Sequence, residues 1–489
     1  MNASSPTAPI IVKAPDSSSK INIAHEINRY ETPLADAVIN LSHELSNSFH
    51  ALPITGGSSL EGSLLKNKYD EIFGMQMLRS EMTITGTYFD SFFFGNKVIS
   101  EAENLAAKLY GADGTLFVTT GTTVSNQIAI DALCERNMRV LLDKSCHQSM
   151  HFALRQHGAV VDHLLPIWRC EKSGKNIWSL NDLLTLILNA QHAGAPYELI
   201  VLNAHSYDGM VYDLPQIIAY LLQNGAATRT FLIDEAWGAA NYFQKDLKSL
   251  TAMRARFLFK DHPQLKIVAT QSAHKSLSCL RQASMIHYCG DTELGARLKL
   301  SRFKFHTTSP SYPILASLDL ARAQMQEEGE ALLIRASTLS TYFCQEIKNL
   351  WHMTDNLINE TMPPANPFVY AHNDPTKVSI NVDELGISAY DVKDKLFLNH
   401  GIYVNRITDT SLLFNFHIGI TAGATENLLR ALQDIGLASE QWPSFTNSEN
   451  FIISYPPGVP IIVPGDAITP EIQKYIRKMK RSGAHVFYA

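Results

Sequence analysis

The middle of the chain alternates short apolar runs with longer amphipathic segments. A strand that is buried on both faces needs an uninterrupted apolar run, so the short runs predict strands and the segments between them predict helices. The predicted strands are 115–118, 139–142, 198–202, 230–233 and 266–269, and the predicted helices include 101–110, 148–157, 179–190 and 214–224. This alternation predicts an α/β domain with a mostly parallel sheet that is covered by helices on both faces.

The pattern differs on either side of this region. A long helical stretch from 313 to about 351 leads to apolar runs at 377–380, 402–404 and 412–416, which predict strands of a smaller α+β domain. Near the start, 24–45 favours an amphipathic helix with Ala35, Val38, Ile39 and Leu45 buried. We therefore expect four parts: a disordered N-terminus at 1–20, an N-terminal arm at 21–85, a large domain at 86–325 and a small α+β domain at 326–489.

Two polar residues follow predicted strands at the edge where open α/β sheets bind ligands. Asp234 follows 230–233, and Lys275 comes shortly after 266–269. A buried lysine loses its proton readily and can form an imine, and a buried carboxylate can keep a pyridine nitrogen protonated. Pyridoxal phosphate (PLP) requires both groups. A solvated lysine at a strand end is the alternative for Lys275, and the presence of Asp234 argues against it.

Two further strand ends supply groups that would suit the same cofactor. Gly121, Thr122 and Thr123 open a predicted helix, where amide and hydroxyl donors favour an anion such as a phosphate. His147 follows the strand 139–142 and could lie flat against an aromatic ring. Taken alone, Gly-Thr-Thr is also typical of a turn or helix cap, and His147 could be structural.

Composition narrows the class of protein. The chain has 489 residues, 45% of them apolar and 18% charged, which is typical of a globular enzyme. A net charge of −6 gives no basic surface for nucleic acid, and the six cysteines lack the spacing of disulfide frameworks or metal sites. No signal peptide is recognisable, and no apolar run approaches the roughly 20 residues that span a bilayer. We expect a cytoplasmic protein without a metal or a membrane anchor.

A series of motifs, in this order along the chain, resembles the bacterial ornithine/lysine/arginine decarboxylases, which are PLP-dependent enzymes of fold type I, the aspartate aminotransferase-like fold. The motifs are Gly-Thr-Thr at 121–123, Asp-Lys-Ser-Cys-His-Gln-Ser at 143–149, Ser-Tyr-Asp-Gly-Met-Val-Tyr at 206–212, Ile-Asp-Glu-Ala-Trp at 233–237, Gln-Ser-Ala-His-Lys at 271–275, Gln-Ala-Ser-Met-Ile-His at 282–287, His-Thr-Thr-Ser-Pro-Ser-Tyr at 306–312 and Tyr-Pro-Pro-Gly-Val-Pro at 455–460. The resemblance is densest over 101–325 and says little about 1–85.

The resemblance implies a role for each matching residue. Lys275 matches the lysine that forms an imine with the cofactor, Asp234 the partner of the pyridine nitrogen, and His147 the histidine that stacks on the ring. The remaining matches are phosphate contacts at Thr122, Thr123, Ser272 and His274, and residues lining the other face and edge of the cofactor at Ala236 and Trp237. Thr307 and Thr308 match a segment that reaches the phosphate of a neighbouring subunit, which implies at least a homodimer.

Some segments depart from the family pattern. The chain is too short for the receiver-like domain of the larger members, and the family's usual segments are replaced at 50–57 and 85–95. Glu449 stands where an acidic substrate anchor is expected, within an altered context. The aromatic run from Tyr88 to Phe94 could line the pocket, but packing at a dimer interface is the favoured interpretation.

We therefore expect a decarboxylase that converts arginine, lysine or ornithine to the corresponding amine and CO2, with Lys275 or His274 returning a proton to Cα. Transamination or amino-acid oxidation on the same scaffold stays open as an alternative. A catalytically inactive regulatory homologue is a further alternative, although it would have no reason to keep Lys275, Asp234 and His147 together.

Overall fold

The computed structural model describes residues 31–44, 48–82, 89, 92–93, 95, 97–169, 175–351, 370–382, 387–440, 451–455, 458–469, 472, 475–476, 479 and 485–488. The helices are α1 Pro33–Glu44, α2 Lys66–Ile72, α3 Gly74–Ser80, α4 Val98–Tyr110, α5 Gly121–Leu133, α6 Gln148–Gln156, α7 Leu180–His192, α8 Leu214–Gln223, α9 Ala273–Ser276, α10 Thr292–Phe305, α11 Tyr312–Trp351, α12 Ala389–His400 and α13 Ala422–Glu440. The strands are β1 Gly114–Val118, β2 Arg139–Asp143, β3 Val160–Leu164, β4 Trp168–Arg169, β5 Asn176–Ile177, β6 Leu199–Asn203, β7 Met210–Tyr212, β8 Thr230–Asp234, β9 Lys266–Gln271, β10 Ser284–Cys289, β11 Ala371–Asn373, β12 Lys377–Asn381, β13 Arg406–Ile407, β14 Ser411–Asn415, β15 Ile452–Tyr455, β16 Val459–Ile462 and β17 His485–Tyr488.

The largest sheet of the described residues has seven strands in the order β1-β10-β9-β8-β6-β2-β3. Strands β3, β2, β6, β8 and β9 pair in parallel, whereas β10 is antiparallel to both β9 and β1. The carboxyl ends of the parallel strands therefore meet at one edge, and β10 begins at that same edge, with Ser284 opposite Val118.

Alternate residues of β2, β6, β8 and β9 enter two different apolar cores, one on each face of the sheet. In β6, Leu199 and Val201 belong to one core, and Ile200 and Leu202 belong to the other. The side chains of a strand point alternately to opposite faces, so a strand that is covered on both sides must be apolar at every position. This requirement explains the continuous apolar runs from which the strands were predicted.

Helix α11 connects the central sheet with a second core. Leu315 and Leu318, near its beginning, pack in the larger core of the sheet, while Phe343 and Ile347 pack against the three-stranded sheet β12-β14-β13. The second sheet thus packs against the later part of α11. The segment before β12 lies beside the loop that precedes β7, where the amide of Asp374 donates to the carbonyl oxygen of Gly209 at 2.8 Å.

Most of the predicted elements are confirmed. The five predicted strands of the large domain correspond to β1, β2, β6, β8 and β9, and the long helix after Pro310 corresponds to α11. The strands predicted at 377–380 and 412–416 correspond to β12 and β14. The antiparallel strand β10 was not predicted.

The strand predicted at 402–404 is wrong, because this segment completes the end of α12. Gly401 adopts a left-handed conformation with φ 66°, and the amide of Ile402 donates to the carbonyl oxygen of Leu396 at 2.9 Å. This is a typical helix C-cap, which commits the backbone to the helix end. The strand of this region is β13, a few residues later.

The N-terminal helix predicted at 24–45 is confirmed at Pro33–Glu44, as α1, whereas residues 31 and 32 are not helical and 24–30 lie outside the described residues. One of its predicted buried positions is wrong. Leu34, Val38 and Leu41 follow the spacing of one helix face and are buried together with Ala35, whereas Ile39 is 50% exposed. Ile39 is adjacent to Val38 in sequence but about 100° away around the helix. Leu45 lies outside the described residues.

Candidate active site

The central sheet brings the predicted site residues to one edge. Asp234 is the last residue of β8, and Lys275 lies in α9, which directly follows the neighbouring strand β9. Helix α5 begins two residues after β1 at this same edge. The sheet topology therefore explains why residues distant in sequence interact at the carboxyl ends of the strands.

Lys275 is half-buried against the indole of Trp237. Its Nζ lies 4.4 Å from the centroid of the ring. Burial lowers the pKa of Lys275 below its ordinary value, and the negative charge of Asp234 opposes this shift. A lowered pKa increases the fraction of neutral amine, which is the form that can form an imine with a carbonyl compound.

Asp234 is a buried carboxylate, only 3% exposed, without an ion-pair partner among the described residues. The amide of Ala236 donates to its Oδ1 at 3.1 Å. Burial raises the pKa of Asp234, while the hydrogen bond from Ala236 and the charges of Lys275 and His147 lower it. A buried carboxyl group that lacks an ion-pair partner is suited to a ligand that brings a positively charged donor, such as a protonated pyridine nitrogen.

His147 is exposed at the N-terminus of α6, and a chain of hydrogen bonds fixes its ring. Its Nδ1 lies 2.9 Å from the hydroxyl of Ser149, which accepts a hydrogen bond from Asn126 at 2.8 Å. Asn126 in turn accepts from the hydroxyl of Thr270 at 2.7 Å. Because Thr270 lies in β9, the orientation of His147 depends on α6, α5 and β9.

A cluster of buried hydroxyls occupies the beginning of α5. The Oγ1 of Thr122 lies 2.5 Å from the Oγ of Ser272 and 2.9 Å from that of Ser284. Thr123 is exposed on the first turn of the same helix, and Gly121 has the left-handed φ of 79°. Hydroxyls at a helix N-terminus can bind a phosphate, and Ser284 is a member that we did not predict. Its position in the motif 282–287, at the start of β10, was a usable signal.

The remaining predicted residues have different surroundings. His274 is half-buried, with Nδ1 2.9 Å from the carbonyl oxygen of Ala283. Thr307 and Thr308 are exposed and follow the buried His306, whose Nε2 accepts from the amide of Thr119 at 2.9 Å. Glu449 lies outside the described residues, so its role as a substrate anchor stays a prediction.

The described part of the chain also places a second lysine beside Trp237. The Nζ of Lys377 lies 4.7 Å from the centroid of the indole ring, and Lys377 lines the same cavity as Lys275. We did not predict this residue, because nothing in the run 377–380 distinguishes it from a lysine at the start of an exposed strand.

Fold and site together define an α/β protein with a half-buried lysine and a buried carboxyl group at the carboxyl edge of its sheet. The family model "Orn/Lys/Arg decarboxylase, major domain" matches residues 32–424. The chain belongs to this family, whose activity is the decarboxylation of amino acids.

The similarity of this chain to individual decarboxylases is consistent with its membership of the family. The arginine decarboxylase of Bacillus anthracis is 27% identical over 508 residues, covering 94% of this chain and 96% of the relative. The crystal structure of a lysine decarboxylase of Francisella novicida is similar with a TM-score of 0.72 and 20% identity, over 93% of this chain and 79% of that one. A serine palmitoyltransferase of S. paucimobilis with a bound PLP–myriocin aldimine shares the fold more distantly, with a TM-score of 0.52 and 18% identity over 79% of this chain and 85% of that one. The fold is that of the fold type I enzymes.

No helix within the described ranges has both the length and the apolar character that a membrane span needs.

Proposed function

We propose that this protein is a PLP-dependent decarboxylase that acts on a basic amino acid, namely arginine, lysine or ornithine. The observation that carries the proposal is the placement of Lys275 and Asp234 after neighbouring parallel strands, in a chain of the Orn/Lys/Arg decarboxylase family. Relatives named arginine decarboxylase and lysine decarboxylase support a basic substrate.

The chain supplies groups that fit each part of PLP. Lys275 would hold it covalently, Asp234 would hold the proton of its ring nitrogen, and His147 would pack on the ring, with Ala236 and Trp237 on its other side. The hydroxyls of Thr122, Thr123 and Ser272, the amides that follow Gly121 and the imidazole of His274 would bind its phosphate. When bound, PLP draws the electron pair of the breaking bond into its ring.

The chain's own residues govern the proton transfers. Lys275 would become a free amine only when the substrate amine takes its place at the cofactor, and this partly buried amine would then accept the proton that the substrate ammonium gives up, because burial favours its neutral form. Asp234, as a carboxylate, would keep the ring nitrogen of the bound cofactor charged while CO2 departs. Afterwards a proton must return to the substrate Cα.

Lys275 suits this last transfer better than His274. The Nδ1 of His274 faces the carbonyl oxygen of Ala283, so in the neutral ring Nδ1 carries the proton and donates it to that oxygen. Burial also lowers the pKa of His274, which leaves little of its cationic form at neutral pH. His274 would therefore need to be cationic to act as the donor, whereas the amine of Lys275 carries the proton it accepted from the substrate.

We further propose that the enzyme is a cytoplasmic homodimer in which Thr307 and Thr308 of one subunit complete the phosphate site of the other. Their exposure in the single chain supports this role, because the side chains are available to a second subunit. We also propose that the chain has the four parts expected from its sequence, with boundaries after residues 20, 85 and 325.

The test is to incubate the PLP-loaded protein separately with arginine, lysine and ornithine and to identify the products by mass spectrometry. We expect CO2 and one predominant amine among agmatine, cadaverine and putrescine. A keto acid formed with an amino-group acceptor would establish transamination instead, and a keto acid formed with consumption of oxygen would establish oxidation. A protein that cannot be loaded with PLP and turns over none of the three would be a regulatory homologue, and the proposal would be wrong.

A further inference from the structure

Lys377 is held in a buried position by a close contact between two segments that are distant in sequence. Its side chain is 7% exposed at the first residue of β12. It packs on Gly209, where a Cβ atom would lie 2.6 Å from the Cβ of Lys377. Gly209 also has the left-handed φ of 89°, so both its conformation and its contact require glycine. The local structure thus fixes the direction in which the lysine extends.

The ammonium group at the end of this side chain has only a neutral hydrogen-bond partner. Its Nζ donates to Oδ1 of Asn415 at 2.7 Å, and no carboxylate of the described chain forms an ion pair with it. The nearby Asp374 is engaged elsewhere. Its Oδ1 accepts from the amide and the hydroxyl of Thr376 at 2.9 and 2.7 Å, and its Oδ2 lies 3.3 Å from Nε2 of His205.

A buried cation without an anionic partner is costly, so its presence in an enzyme cavity indicates a ligand that brings the anion. The residues that line the cavity include Lys275, Trp237, Lys377, Asn415 and His417. Lys275 and Lys377 contact the same indole ring. Because both lysines line this cavity, a ligand at Lys275 is within reach of the ammonium of Lys377.

We infer that Lys377 binds the α-carboxylate of the substrate amino acid. This inference rests on the proposed function, because a basic amino acid carries one anionic group, and that group is one carbon away from the amine that must approach Lys275. The phosphate of PLP is a second source of negative charge, but the hydroxyl cluster at Thr122, Ser272 and Ser284 lies at the beginning of α5 and provides a separate site for it.

The state of charge of Lys377 suits this role. Burial lowers its pKa to about 8, with the charge of Asp374 opposing the shift and that of Lys275 adding to it. The ammonium form therefore prevails at neutral pH. Loss of CO2 removes the group that Lys377 binds, so the amine product keeps fewer contacts than the substrate and dissociates more readily.

The test compares ligands that differ only in the carboxylate. In PLP-loaded protein with Lys275→Ala, which blocks turnover, the binding of each amino acid and of its amine is measured by calorimetry, and the preferred pair is used. Adding Lys377→Met should weaken binding of the amino acid about 10- to 100-fold, the effect of a lost charged hydrogen bond. Binding of the amine should change less than about twofold. Lys377→Arg should restore most of the preference for the amino acid.

Lys175→Met is a matched control. Lys175 is also buried, 4% exposed, and donates to an amide oxygen, Oδ1 of Asn373 at 2.9 Å, but it does not line the cavity. Its loss should leave the ratio of the two affinities unchanged. Equal weakening of amino acid and amine in Lys377→Met would reduce Lys377 to a structural role and overturn the inference.

Two other outcomes separate the possible explanations. If Lys377→Met raises the dissociation constant of PLP tenfold while the ratio of the two affinities stays constant, the anion is the cofactor phosphate and the inference is overturned. If the unmodified enzyme binds the amino acids without releasing CO2, the proposed function fails, and the affinity ratio still decides the role of Lys377.

Discussion

A half-buried amine and a buried carboxyl group, each with a shifted pKa, are the features on which the proposed chemistry depends. Lys275 has a lowered pKa and Asp234 a raised one, and burial is the largest cause of both. In each case burial favours the neutral form, and the opposite charge of the partner favours the charged form. Substitution of Lys275 and substitution of Asp234 should therefore affect different steps of the proposed reaction.

Lys275 can be trapped chemically. Borohydride treatment of the PLP-loaded protein should fix a pyridoxyl group on the peptide that contains Lys275, as measured by mass spectrometry after digestion. Lys275→Ala should lose both this label and turnover, because no other lysine would replace its amine. A label on Lys377 or on any other lysine would refute the assignment.

Asp234→Asn keeps the shape of the side chain but removes the charge that would hold the ring proton. We expect kcat to fall at least about 100-fold, comparable to the loss of one preorganised charge-stabilising group in other enzymes. The dissociation constant of PLP should change far less, because the covalent and phosphate contacts remain. Turnover close to that of the unmodified enzyme would mean that Asp234 does not contact the ring nitrogen.

Lys377 predicts a pH dependence of substrate binding. A lysine is charged below its pKa, so KM for the amino acid should be constant below about pH 8 and rise above it as Lys377 loses its proton. Asp374, whose pKa is lowered, stays charged across this range, and His417, whose pKa is also lowered, stays neutral. Titration of Lys275 or of the substrate amine changes KM equally in the unmodified enzyme and in Lys377→Arg. Only the unmodified enzyme should therefore show the extra rise, and identical KM profiles for the two would contradict the prediction.

At the level of elements, the site depends on contacts between the ends of neighbouring helices and strands. Asn126 joins three of them, because it accepts from Thr270 of β9, donates to Ser149 of α6 and belongs to α5. All three residues are buried. The ring of His147, at the end of this chain of hydrogen bonds, should therefore respond to changes at Asn126.

Asn126→Ala should lower the free energy of unfolding by about 2–4 kcal/mol, because it leaves buried hydrogen-bonding groups without partners. It should also lower kcat several-fold through loss of the orientation of His147. Urea denaturation and steady-state kinetics measure the two effects. Gln127→Ala, at the next and more exposed position of the same helix, serves as the control. A kcat unaffected by Asn126→Ala would show that His147 does not need this support.

At the level of the whole molecule, the proposed dimer predicts complementation between two inactive variants. Lys275→Ala and the double variant Thr307→Ala/Thr308→Ala should each be inactive, but a mixed dimer would contain one site free of both defects. After random exchange of equal amounts, half of the dimers are mixed and each has one intact site of two, so activity should return to about a quarter of the original by the symmetry of an isologous pair.

Subunit exchange must be demonstrated independently, for example with differently tagged chains that co-purify. Exchange without recovered activity would mean that the threonines act within their own chain. Full activity of the double variant alone would remove them from the site altogether.

Much of the architecture follows from local sequence. Each central strand is an uninterrupted apolar run, because both faces of the sheet are covered, and the polar residues that end these runs had to collect at one edge. Lys275, Asp234 and the beginning of α5 could therefore be predicted from position alone. The roles of His147, Thr307 and Thr308 depended on the resemblance to a family.

Other features depend on contacts that no local pattern records. The antiparallel strand β10 places Ser284 among the hydroxyls, and the phase of α1 exposes Ile39 although its neighbour Val38 is buried. The importance of Lys377 arises only because Gly209, Trp237 and Asn415, from separate parts of the chain, surround it. Sequence determines which segments are apolar and where chemical groups stand along them. Only tertiary packing decides which of those groups lose their water, and burial is what shifts their charge and directs their chemistry.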